Sequence, residues 1–74
     1  MTTKELINAI KDNANKIIEA RLILKCAYAT HFIYFDEIKN VFVDEGIDGE
    51  AYTISITEFY ERYEKANWII DQVV

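Results

Sequence analysis

The first twenty positions carry one apolar stripe: Leu6, Ile7, Ile10, Ala14, Ile17 and Ile18 recur at helical spacing. Thr2 and Glu5 stand just ahead of it in the pattern of a capping box, where each side chain satisfies a backbone N–H that the first helical turn leaves without a partner. A longer helix would set Arg21 and Lys25 in the middle of the stripe, so the pattern predicts an end near Glu19 or Ala20. Leu22, Leu24, Cys26 and Tyr28 then alternate with Arg21, Ile23, Lys25 and Ala27, a period of two. No turn residue marks the change, and 20–29 reads equally as helix or strand.

The middle of the chain is aromatic and β-branched. His31-Phe32-Ile33-Tyr34-Phe35 and Val41-Phe42-Val43 read as strands joined by a hairpin connection from Asp36 to Asn40. The chain has no proline, and its glycines are Gly46 and Gly49, so the segment Asp44 to Glu50 is a loop. Ala51 to Ile56 follows as another strand. Thr57 is placed to cap a last helix with Glu58 and Glu61 in its first turn, near the positive end of the helix dipole. On that helix Phe59, Tyr63, Ala66, Ile69, Ile70 and Val73 share one face, and Trp68 falls opposite them beside Glu61, Glu64 and Asp71. The expected fold is α+β: an N-terminal helix, a three- or four-stranded antiparallel sheet, and a C-terminal helix packed on the sheet. The alternative is a mostly α, EF-hand-like arrangement.

Length and composition narrow the class. A chain of 74 residues is expected to form a single domain, 1–74, and 51% hydrophobic residues supply a core without staples. Cys26 is the only cysteine, which rules out a disulfide within the chain and fits a reducing cytoplasm. The polar start, Met1-Thr2-Thr3-Lys4-Glu5, does not resemble a signal peptide, and no run approaches the roughly 20 apolar residues of a membrane span. The expectation is a soluble cytoplasmic protein, in the host cytoplasm if the gene belongs to a phage.

Charge is unevenly divided. Residues 1–35 balance at +2, residues 36–64 at −7, and the last ten at zero, for a net −5. Such a field repels nucleic acid and attracts basic surfaces. Neither direct nucleic-acid binding nor membrane association is expected.

Candidate chemistry changes this picture little. His31 and Cys26 are five residues apart, but a nucleophile also needs an oxyanion site and a shaped cavity, and Cys26 reads as a small core residue. No phosphate-binding or dinucleotide fingerprint is present, so no enzyme and no cofactor are expected. The run from Asp44 to Phe59 resembles an EF-hand loop with the start of its exit helix. It fails at the ligands, because the third loop position is Gly46 and the twelfth is Ser55 where a bidentate Glu is needed. A divalent-cation binder is kept as the weaker alternative.

Acidity and Trp68 point instead to a contact surface. Asp44, Glu45, Asp48, Glu50, Glu58, Glu61 and Glu64 are the candidate partner-binding carboxylates, and Trp68 is the candidate anchor, because tryptophan is enriched at interface hot spots. In length, acidity, layout and lack of a catalytic motif, the chain resembles the small phage-encoded inhibitors of bacterial defence, anti-CRISPR proteins among them. The resemblance is one of type across the whole chain, and no functional residue carries over. It implies an inhibitor, acting as a nucleic-acid mimic, that occupies the basic surface of a host nucleic-acid-handling protein or ribonucleoprotein. The alternative is a homo-oligomeric structural or regulatory domain, with Trp68, Tyr60, Ile69, Ile70, Val73 and Val74 forming a self-interface.

Overall fold

The computed structural model describes residues 1–46 and 49–74. Helix α1 covers Thr3–Asp12 and begins on the predicted capping box: the Thr2 hydroxyl accepts the Glu5 N–H at 3.1 Å, and the Glu5 carboxylate accepts the Thr2 N–H at 3.0 Å. Leu6, Ile7 and Ile10 form its buried stripe. The helix stops about two turns before the predicted Glu19 or Ala20. Asn13 ends it, donating from its side chain to the Ala9 carbonyl at 2.8 Å while its backbone N–H reaches the Ala9 and Ile10 carbonyls. An Asn side chain competes with the backbone for such bonds, and it breaks the helix here without glycine or proline.

Five strands follow: β1 Ile18–Ile23, β2 Tyr28–Asp36, β3 Val41–Glu45, β4 Ala51–Ile54 and β5 Asn67–Val73, with α2 Ile56–Arg62 between the last two. They form one antiparallel sheet in the order β4-β3-β2-β1-β5. The α+β class matches expectation, and the mostly α alternative does not hold. The strand count exceeds the predicted three or four because the second half of the predicted last helix is β5. After α2 the chain crosses from one edge of the sheet to the other and pairs with β1. The ambiguous stretch 20–29 is the end of β1, a turn closed by the Leu24 N–H on the Ala27 carbonyl at 2.9 Å, and the start of β2.

Strand alternation divides the sheet into two unlike faces. Ile18, Ala20, Ile33, Phe42, Ile54 and Trp68 point to the helix side and pack with Leu6, Ile10 and Phe59 in a single core. Tyr28, Phe32, Tyr34, Val43 and Ile69 point the other way, where no helix among the described residues covers them. The free edge of β5 is protected at its start. There the Met1 ammonium donates to the Trp68 carbonyl at 2.7 Å, and the Trp68 N–H donates to the Met1 carbonyl at 2.8 Å.

The β2–β3 connection is the predicted hairpin turn. Asp36 Oδ1 accepts the N–H groups of Ile38 and Lys39 at 3.0 and 3.1 Å, and Asn40 closes the turn at φ 55°. That left-handed conformation suits Asn and Gly and is costly for a β-branched residue. Asn40→Val is therefore expected to lower stability by about 1–2 kcal/mol, with Asn40→Gly close to neutral, in urea denaturation.

Candidate functional site

The structure separates the residues nominated from sequence. Glu58, Glu61 and Glu64 are exposed on α2 and the turn after it, and the Ser55 hydroxyl caps that helix by accepting the Glu58 N–H at 3.0 Å. Thr57 is thus not the cap. Ser55-Ile56-Thr57-Glu58 repeats the spacing of Thr2 and Glu5, a signal that points to Ser55 directly. Glu58 also pairs with Arg62 at 3.4 Å, one turn on. Glu45 ends β3 on the opposite, uncovered face of the sheet, and Glu50 is exposed ahead of β4. Asp48 lies outside the described residues.

Two nominations fail because the core takes them. Trp68 sits in β5, not on a helix, and is 1% exposed. Its ring stacks on Phe59 at 5.8 Å and meets His31 and Tyr63 edge-on at 5.4 and 5.2 Å. Its Nε1 donates to Thr3 Oγ1 at 2.9 Å, and that hydroxyl donates onward to the Tyr63 carbonyl. Asp44 is also 1% exposed and points to the helix side. Neither side chain can touch a partner. A third expectation reverses the other way: Cys26 is exposed on the β1–β2 turn rather than packed in the core.

Asp44 belongs to a polar cluster that sequence reasoning missed. His31 on β2 places Nδ1 at 2.8 and 3.0 Å from the two carboxylate oxygens, and the Tyr52 hydroxyl on β4 donates to the carboxylate at 3.0 Å. One buried carboxylate thus ties three neighbouring strands together. Burial, with the Asp44 charge beside it, pushes the Tyr52 phenol well above its usual range, so it serves as a donor at any physiological pH. Among the described residues no buried side-chain nitrogen or oxygen lacks a hydrogen-bond partner. A carboxylate on imidazole Nδ1 is the arrangement that orients a catalytic histidine. Here the imidazole is enclosed by Tyr63 and Trp68, and neither groove described below is lined by it. The only thiol lies on the turn before β2.

The EF-hand reading also fails on backbone. Strands β3 and β4 flank the glycine-bearing segment where that motif needs helices, and Asp44 is committed to His31 and Tyr52. Among the described residues no group of three or more His, Cys, Asp or Glu side chains is placed to hold a metal ion.

Among the described residues, the surface carries two shallow grooves and the uncovered sheet face. One groove, about 440 Å³, runs between the helices over Ile7, Ile56 and Tyr60, with Glu61 and Glu64 at its rim. The other, about 620 Å³, lies where the segment after α1 meets the β2–β3 hairpin, and it gathers Asp36, Glu37 and Glu45. On the uncovered face Tyr28 is 60% exposed, with the Arg21 guanidinium 5.3 Å from its ring centroid and 2.8 Å from Asp71. No helix among the described residues is long and apolar enough to cross a membrane. No protein-family model matches the chain, no curated protein matches it and no solved structure matches its fold, so these surfaces are read from their own chemistry.

Proposed function

We propose that the chain is a non-enzymatic protein-binding domain that occupies a basic, nucleic-acid-binding surface of a bacterial protein or ribonucleoprotein, as anti-defence inhibitors of the anti-CRISPR type do. The observation that supports this reading is the fate of the acidic half. The core takes Asp44, while Glu58, Glu61 and Glu64 stay exposed on one side of the sheet, and Asp36, Glu37 and Glu45 line a groove at its hairpin end. Carboxylates held on a folded scaffold compete with phosphates for Lys and Arg side chains, and such binding weakens as salt rises.

A second reading, self-association through the uncovered sheet face, draws on the exposure of Tyr28, Ile23 and Ile69 there. Apolar patches of this kind on small domains mark contact sites. One set of measurements separates the two. Affinity capture of a basic nucleic-acid-handling protein is expected at low salt and lost at roughly 0.5 M, where the Debye length is only a few Å. Reversal of Glu45, Glu58, Glu61 and Glu64 to lysine is expected to abolish it, and the captured protein is expected to lose nucleic-acid binding when the domain is added. Capture that ignores both salt and charge reversal overturns the inhibitor reading. A salt-insensitive dimer in light scattering, lost on Tyr28→Ser, establishes the second.

A further inference from the structure

We infer that the contact surface is the groove at the hairpin end of the sheet, and that its occupant is a cationic amphipathic segment of the partner protein. This rests on the proposed function and names the site within it. The floor of the groove is apolar: Ile17, Tyr34 and Phe35 line it, and Ile38 stands beside them. Ile38 is 97% exposed. An isoleucine so completely in solvent sits on a turn that is held on both sides, by Asp36 Oδ1 accepting its N–H and by Asn40 in the left-handed region. A partner that covers Ile38 removes apolar area from water with little further ordering of the backbone that carries it.

Charge selects the occupant. Asp36, Glu37 and Glu45 face Lys16 as the only base in the lining, so the groove is net negative around an apolar floor. A nucleic acid or an anionic bilayer brings phosphates, which that field repels. A second copy docking through a two-fold axis would lay the same carboxylates against themselves. Lys and Arg side chains flanking one or two large apolar residues satisfy both features together. The groove between the helices is the weaker competitor: it is smaller, its rim carries Glu61 and Glu64, and its apolar Ile7 is already buried.

The test is an NMR titration of the labelled 74-residue domain with an amphipathic Leu/Lys peptide about five helical turns long, and with a Leu/Glu peptide of the same length. Amide shifts from the Leu/Lys peptide are expected to concentrate on Ala14–Ile17, Tyr34–Lys39 and Glu45, with none from the Leu/Glu peptide. Glu37→Lys combined with Glu45→Lys is expected to weaken binding about tenfold or more, and Ile38→Ser to weaken it several-fold. These side chains are at the surface, and amide spectra of the variants establish that each is folded. No shift at about 1 mM peptide, a barely measurable affinity, overturns the assignment, as does equal binding of the Leu/Glu peptide or a shift map centred on α2. The wider reading fails separately. A basic partner whose capture survives the Glu37→Lys, Glu45→Lys pair but is lost on reversal at Glu61 and Glu64 overturns the groove alone. Absence of any salt-dependent capture overturns the function itself.

Discussion

Trp68→Ala is expected to leave the domain barely folded. The side chain is 1% exposed, stacks on Phe59, meets His31 and Tyr63 edge-on, and donates to Thr3. Truncating a buried tryptophan costs about 3–5 kcal/mol, because the removed ring forfeits its burial and leaves a cavity the neighbours only partly fill. A domain of this length holds roughly 4–11 kcal/mol in all, so the loss takes a large share of the total. Two further effects compound it. Thr3 loses the donor that links α1 to β5, and the strand that closes the sheet loses its largest inward side chain. Trp68→Phe is expected to be milder by about 1–3 kcal/mol, keeping most of the apolar volume while giving up the hydrogen bond. Urea denaturation followed by circular dichroism measures both. A loss under about 1 kcal/mol for Trp68→Ala contradicts burial of the ring and returns it to the surface as a contact residue.

This side chain also shows how much of the fold was legible in the sequence. Phe59, Tyr63, Ala66 and Ile70 are spaced four, three and four apart, which is helical spacing, and no glycine or proline interrupts them. The same residues also satisfy a short helix followed by a strand, because Trp68 and Ile70 are two apart and share the inward face of β5. Both periods fit the apolar positions, and pairing with β1 decides between them. The N-terminal helix failed at its end for a related reason: Ile17 and Ile18 continue the stripe of α1 by coincidence, and Asn13 stops the helix through a side-chain bond that composition does not mark. Local chemistry was read correctly in two places and missed at Asn13 and at Ser55, which caps α2 where Thr57 was expected. The capping box at Thr2 and the Asp36–Asn40 turn stand as predicted. The candidate site was legible only as net charge. Alternation along β3 turns Asp44 inward and Glu45 outward, and the turn brings Asp36 and Glu37 to the groove that Glu45 lines. That grouping depends on register and not on closeness in sequence.

His31→Ala is expected to cost about 3–5 kcal/mol, although the residue is a small part of the core by volume. The penalty comes from what is left behind. Asp44 is 1% exposed in the intact core, and the Tyr52 hydroxyl is its other side-chain partner. A buried carboxylate stripped of one of two partners must admit water or pull β3 out of register, and either route draws on the stability of the whole sheet. Asp44→Asn is expected to lose less than His31→Ala, since an amide can still accept from Tyr52 and carries no charge to desolvate. The double variant His31→Ala, Asp44→Ala is expected to be no worse than His31→Ala alone, because removing the carboxylate removes the orphaned charge. Urea midpoints for His31→Ala, Asp44→Ala and the double close a thermodynamic cycle, in which residues that share a hydrogen-bond network couple by about 0.5–3 kcal/mol. Additive losses would mean that His31 supports the core through its ring contacts with Tyr63 and Trp68 alone, and that the Asp44 charge is met by Tyr52.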